Sequence, residues 1–259
     1  MDLIQALILA IIQGMTEFLP VSSSAHLILI PKIIGWNDQG LLFDIALHFG
    51  TLLAVVIYFR DDLFQMIEDL IRNRGNNIMQ SDVMILIIAT VPVVLVGGLL
   101  NDWIENNLRS SNVIASTSIV FGLILLVSDK FSSGKNNLTL QIGLIIGLAQ
   151  VLALIPGVSR SGITITMGLF MGLGRVKSAR FSFLLAIPVI LGASVLQVYE
   201  LYSIGFSDIS YILLLSGLSV SFLFAYYTIQ WFLAFVTKVG MFPFVIYRIA
   251  LGLSIFVFL

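Results

Sequence analysis

Long apolar runs decide what this chain can fold into, and two polar breaks inside such runs decide where its chemistry must sit. Several stretches of about 18 or more apolar residues recur along the 259 residues, enough for a helix to cross a hydrocarbon core. Hydrophobic residues make up 59% of the chain and charged residues only 10%, where a soluble domain is nearer half apolar and a quarter charged. An all-α integral membrane protein with several spans is expected. The first break runs from Gln13 through Glu17, Pro20, Ser22, Ser23 and Ser24 to His26; the second runs from Gln150 through Pro156, Gly157, Ser159, Arg160 and Ser161 to Gly162. In both, a Gln precedes a Val-Ser-x-Ser segment at the same spacing, Gln13 to Ser22 and Gln150 to Ser159. Charged and hydroxyl groups at such depth are costly unless they line a polar cavity, which marks both breaks as a site.

Full-length spans are expected near 41–59, 82–100, 113–128, 178–202, 211–234 and 240–259. The regions 2–34 and 138–173 each hold two shorter apolar pieces around a break. Leu3–Ile12 and Ala25–Ile34 are about ten residues each, and such a helix covers roughly 15 Å, half the core. That length predicts a re-entrant helix–loop–helix. If both pairs return to the side they left, one side collects Arg60, Arg72, Arg74, Lys130, Lys135, Arg175, Lys177, Arg180 and Lys238. The other receives only Lys32 and Arg109, while Arg160 and Arg248 fall within membrane segments. This bias puts the basic side in the cytoplasm and both termini outside.

The repeat reaches past the breaks, since Phe43-Asp44-Ile45 and Phe181-Ser182-Phe183 follow Ser22 and Ser159 at nearly equal distances. Each half, 1–130 and 131–259, then holds a re-entrant pair (tips 13–26 and 150–164) and three crossings. An odd number of crossings inverts the second half relative to the first, an inverted-topology repeat with its site where the broken regions meet. Asp129–Asn137 is the linker, and 61–74 is expected as an amphipathic surface helix. Met1-Asp2-Leu3-Ile4 carries no basic n-region or cleavage site, so it reads as mature protein. The net charge of −1 gives no sign of a nucleic-acid partner, and the absence of cysteine excludes disulfides and thiolate chemistry.

Gln13 and Glu17 are four apart and share a helix face. Together they could hold a hard cation such as Mg²⁺, or Glu17 could act as a base; capping a half-helix is its plainer alternative. For any one of Ser22, Ser23 and Ser24 a helix cap is the plainer role, but His26 beside the cluster favours proton transfer or nucleophilic attack. Arg160 is permanently charged and suited to bidentate phosphate binding. Ser159 and Ser161 flank it, Gly157 and Gly162 allow close backbone approach, and Thr164 and Thr166 open the next half-helix, whose positive end favours an anion. An ion pair between Arg160 and Glu17 is compatible with that reading. Structural pairing is expected for Asp44, Glu200 and Arg248, and packing for His48, Tyr226, Tyr227 and Trp231.

The run Gln13-x-x-x-Glu17-Phe-Leu-Pro-Val-Ser-Ser-Ser-Ala-His26, with Pro156-Gly-Val-Ser-Arg-Ser-Gly162 and the Pro243–Arg248 end, resembles the bacterial undecaprenyl-diphosphate phosphatases of the bacitracin-resistance type. The likeness spans essentially the whole chain, and the family's first motif accepts Gln at its first position. It implies hydrolysis of undecaprenyl diphosphate to the monophosphate and inorganic phosphate at the plasma membrane, with a site toward the extracytoplasmic face. It also implies dependence on a divalent cation, Mg²⁺ or alternatively Ca²⁺. The family's functional positions fall on Glu17, Ser23, His26 and Arg160, with Gln13 as helper. Either Ser23 or His26 would attack the terminal phosphorus, or orient a water that does. Lipids and a second copy of the chain are the further expected partners. The rival reading is a transporter or flippase of an anionic polyprenyl lipid, since broken helices at mid-membrane also serve transport.

Overall fold

The computed structural model describes residues 1–72, 78, 81–204 and 210–258. Arg74 and the side chain of Glu200 lie outside the described residues. Among the described residues the fold is all helical: α1 (Leu3–Thr16), α2 (Ser23–Ile34), α3 (Leu41–Tyr58), α4 (Arg60–Arg72), α5 (Asp82–Leu108), α6 (Ser111–Asp129), α7 (Leu140–Gln150), α8 (Arg160–Phe170), α9 (Arg175–Ile204), α10 (Tyr211–Val239) and α11 (Phe242–Phe258). Five of these, α3, α5, α6, α9 and α10, are long and apolar enough to cross a membrane. The sequence pattern suggested six spans; the sixth, α11, has 17 residues, at the lower limit of ~17 for a crossing.

The two broken regions form as their punctuation dictates. A capping box starts α1, with Gln5 N–H donating to Asp2 at 2.8 Å and Asp2 N–H to the Gln5 side chain at 3.1 Å. The helix stops at Thr16, ahead of Pro20, whose ring disfavours helical backbone in the residue before it. In the second region α7 gives way to a 3₁₀ turn, Val151–Leu154, before Pro156. All four pieces, α1, α2, α7 and α8, have 14 residues or fewer.

Packing between the halves is reciprocal. Helix α1 lies along α10 and α7 along α5, while α3 packs on α10 and α9 on α5. The pairs α3–α9 and α6–α11 cross between the halves. Both tip helices approach so closely that only glycine fits. A Cβ on Gly14 would stand 2.6 Å from Ser221 O, and one on Gly147 would stand 2.3 Å from Ala89 O.

Contacts sort the described basic residues by end. At one end Arg175 makes a two-point pair with Asp129 at 2.7 and 2.8 Å, Lys177 reaches Asn137, and Arg180 pairs with Asp62. At the other, Lys32 donates to Ser111 at 2.8 Å. Helix α4 leaves Phe64, Ile67 and Ile71 exposed, the apolar stripe of an interfacial helix. A buried cluster that includes Phe18, Phe59, Phe183, Phe232 and Phe244 fills the bundle between the first tip and the basic end.

Candidate active site

Glu17 follows the last residue of α1, and its side chain is only 7% exposed. Four groups converge on its carboxylate. Gln13, one turn earlier, donates from Nε2 to Oε2 at 2.9 Å. Ser23, the first residue of α2, donates its hydroxyl to the same oxygen at 2.5 Å. Arg160, the first residue of α8, donates from Nη2 to Oε1 at 2.7 Å. His48 of α3 brings Nε2 within 3.9 Å of Oε2. The ion pair that the sequence allowed as an alternative for Arg160 is present, and charge-assisted bonds of this kind are the strong ones. Arg160 is fixed further by Ser182 O at 3.3 Å and by the ring of Phe18, 5.8 Å from its guanidinium carbon.

The tips share a backbone device. Ser22 (φ 71°) and Ser159 (φ 71°) are the non-glycine residues with positive φ among the described residues. Such a conformation costs on the order of 1–3 kcal/mol and persists where its surroundings over-determine it. Each turns the chain immediately before a helix, so Ser23 and Arg160 occupy matching first positions. The serine beyond closes a matching contact, Ser22 Oγ to Ser24 Oγ and Ser159 Oγ to Ser161 Oγ, both 3.2 Å. Two helix N-termini thus meet at one carboxylate, and their positive ends favour an anion between them.

A cavity of about 230 Å³ opens here, lined by Glu17, Ser22, Ser23, Ser24, His48, Ser159 and Arg160. Val93 of α5 and Val189, Ile190 and Ala193 of α9 form its apolar wall. The rest of the expected site stands behind that lining. Gly157 is packed against Thr117 and Ile114, and its carbonyl accepts from Arg248 at 2.8 Å. Ser161 donates to Leu19 O at 2.8 Å, tying one tip to the other. Gly162 lies against Ser159 and the Arg248 guanidinium, and Thr164 bonds Arg160 O and Ser182 Oγ. These residues frame the cradle from outside the cavity: Gly157 and Ser161 help join the tips, and Gly162 and Thr164 brace the second one.

The two histidines stand differently toward the cavity. His26 is buried, with Nδ1 2.7 Å from Ser22 O and Nε2 2.5 Å from the Tyr247 hydroxyl, and it does not line the cavity. His48, expected to pack, lines it. A carbonyl can only accept, so the His48 Nδ1 at 2.8 Å from Asp44 O carries a hydrogen and Nε2 faces Glu17. Ser182, Ser194 and Gln197 were not singled out from sequence either; one supports Arg160 and two line the cavity. Arg248 finds carbonyl partners, Pro20, Thr117, Ser118 and Gly157, and so bridges both tips and α6. Asp44 accepts from Gln39 at 2.9 Å.

For a cation, the donors are hard oxygens: the Glu17 carboxylate, the Ser23 hydroxyl and Gln13 Oε1, which is buried without a hydrogen-bond partner. No group of three or more His, Cys, Asp or Glu side chains stands close enough to hold a metal among the described residues. Such a set fits a hard cation such as Mg²⁺ or Ca²⁺ held through one carboxylate.

The family described as bacitracin resistance protein BacA matches residues 6–254. Among curated relatives, an undecaprenyl-diphosphatase of Alteromonas mediterranea is 49% identical over 258 residues, 97% of each chain. Proteins of the same name from Saccharophagus degradans (48% identical, 99% of this chain and 98% of the relative) and Campylobacter curvus (46%, 97% of each) are similar over as much of their length.

Proposed function

The chain belongs to the bacitracin resistance protein BacA family, and from that membership and the geometry of the two tips we propose that it hydrolyses undecaprenyl diphosphate to undecaprenyl phosphate and inorganic phosphate. The observation that carries the reading is the convergence of Ser23 and Arg160, from matching positions of two tips, on the single carboxylate of Glu17.

In the proposed reaction the diphosphate enters between the helix N-termini and takes Arg160 from Glu17. The guanidinium and the two helix ends balance its charge, which is most of what phosphoryl transfer requires. The Ser23 hydroxyl gives its proton to Glu17 Oε2 while Oγ forms a bond to the terminal phosphorus. The bond from that phosphorus to the bridging oxygen breaks, its electron pair stays with that oxygen, and undecaprenyl phosphate departs. Water then attacks the phosphoserine phosphorus: the bond from phosphorus to Ser23 Oγ breaks, Glu17 returns its proton to that oxygen, and inorganic phosphate leaves carrying the water's oxygen and protons. Glu17 and the free Oε1 of Gln13 are the residues that would hold a divalent cation, Mg²⁺ or alternatively Ca²⁺. When bound, it supplies further positive charge against the diphosphate oxygens. The prenyl chain would lie along the apolar wall between α5 and α9.

The same proposal places the chain in a bacterial plasma membrane as an inverted repeat, halves 1–130 and 131–259, with six crossings counting α11. Both termini and the mouth of the site would face outside. Reciprocal packing of α1 on α10 and α7 on α5, the paired Ser22 and Ser159 turns, and the collection of basic residues at one end support it.

Purified chain in detergent, given undecaprenyl diphosphate with Mg²⁺ or Ca²⁺, should release inorganic phosphate. No membrane separates two compartments there, so a pure flippase would leave the substrate intact, and that outcome would overturn the proposal.

A further inference from the structure

The first tip carries a strained turn without the support its counterpart has. Ser159 accepts from Gly162 N–H at 3.1 Å, a side-chain cap that holds its turn, whereas Ser22 makes no side-chain cap bond. Beside its Oγ contact to Ser24, Ser22 is held through its carbonyl, which lies 3.4 Å from His26 N and closer, 2.7 Å, to His26 Nδ1. Because the carbonyl only accepts, Nδ1 bears the hydrogen, and in the neutral ring Nε2 accepts from the Tyr247 hydroxyl at 2.5 Å. The two rings also stack, with centroids 5.6 Å apart and planes 13° from parallel. Next to Tyr247 on α11, Arg248 grips Pro20 O, two residues before Ser22. Ser23 follows Ser22 directly and must keep its hydroxyl 2.5 Å from Glu17.

We propose that Tyr247 and His26 are positioning residues: the chain of hydrogen bonds Tyr247–His26–Ser22 O holds the strained turn that presents Ser23, and the imidazole itself neither attacks phosphorus nor carries a reacting proton. This rests on the phosphatase reading and on Ser23 as its nucleophile. Both ring nitrogens are committed away from the cavity, which His26 does not line. A shift of Ser23 by about 1 Å is enough to cost ~10²-fold in rate.

Substitutions separate holding from proton chemistry. An asparagine amide N–H lies about where the imidazole Nδ1–H does and cannot shuttle a proton near neutral pH; a glutamine amide reaches the Nε2 position instead. Phosphate release from undecaprenyl diphosphate would be measured for wild type, Tyr247→Phe, His26→Asn, His26→Gln, His26→Ala and the Tyr247→Phe/His26→Ala double variant, each checked by melting temperature. His26→Asn, which keeps the bond to Ser22 O and loses the one to Tyr247, should fall no further than Tyr247→Phe, about tenfold, while His26→Gln and His26→Ala fall by roughly a hundredfold. Tyr247→Phe, which keeps the stack, should lower kcat about tenfold with KM within twofold, and should add nothing to His26→Ala. A folded His26→Asn as inactive as His26→Ala, or a Tyr247→Phe with wild-type kcat, overturns the positioning role while leaving the phosphatase reading intact. An inactive wild-type chain overturns the phosphatase reading itself.

Discussion

Replacing Arg160 by methionine tests the proposed site most directly, because the two things this side chain does have separable consequences. As a structural partner it gives Glu17 one charge-assisted bond at 2.7 Å and holds Ser182 O at 3.3 Å. Loss of such a bond to a buried charge costs about 1.5–3 kcal/mol. The lower part of that range is expected, since Ser23 and Gln13 still donate to the carboxylate. As the fixed charge facing a diphosphate it resembles an oxyanion donor, whose removal costs about 10²–10³ in rate, or ~2.7–4 kcal/mol of transition-state stabilisation. Arg160→Met should therefore melt at a modestly lower temperature, remain folded at 25 °C, and lose at least a hundredfold in kcat/KM. Arg160→Lys keeps the charge without the planar fork and should recover only part of the loss. The assay is phosphate release from undecaprenyl diphosphate in detergent, with the melt recorded on the same preparation. A folded Arg160→Met that turns over within threefold of wild type would refute the cradle and reduce the Glu17 pair to a structural contact.

Ser23→Ala should abolish the burst of phosphoenzyme and lower kcat by at least a thousandfold, whereas Ser24→Ala, which loses only the contact to Ser22, should stay within tenfold; acid-quench labelling with a radiolabelled diphosphate separates the two. Chelation by EDTA should stop phosphate release, and Mg²⁺ or Ca²⁺ should restore it. Undiminished turnover in EDTA would remove the cation from the mechanism. The chain has no cysteine, so single Lys32→Cys and Lys130→Cys variants report sidedness without background. An impermeant maleimide applied to intact cells with the outer face accessible should label the first and spare the second, and the reverse pattern would invert the topology.

Sequence spacing revealed the tips because a carboxylate, an arginine and paired serines stand out against hydrocarbon. The shared face of Gln13 and Glu17 followed from helical geometry alone, whereas the Glu17–Arg160 pair was legible only as an alternative to phosphate binding by Arg160. The roles of the two histidines were not legible. Nothing in the run Asp44–His48 says which face of α3 meets the tips, since that is set by α3 packing between α9 and α10. His26 looked reactive for its neighbours, yet its ring is taken by Ser22 O and by Tyr247, 221 residues away. Likewise Gly157, Ser161, Gly162 and Thr164 carry the composition of an anion cradle but spend bonds on Arg248, Leu19, Ser159, and Arg160 and Ser182 respectively. Arg248 announced that it needed a partner without naming it, because backbone carbonyls leave no mark in a sequence.

The reciprocal packing of the helices constrains how the protein can be made. Helix α1 rests on α10, the first tip is held by Tyr247 and Arg248 of α11, and α6 pairs with α11. A chain synthesised from its N-terminus thus carries an unfinished first tip until α11 has left the ribosome. Glu17 and Ser23 emerge early, but the carbonyls and ring that hold them acquire partners only at the end. Premature termination before α11 should yield an inserted but inert product, with Arg160 in the chain but without the Tyr247 and Arg248 contacts that hold the first tip. Activity becomes a report that α11 has been made and has docked.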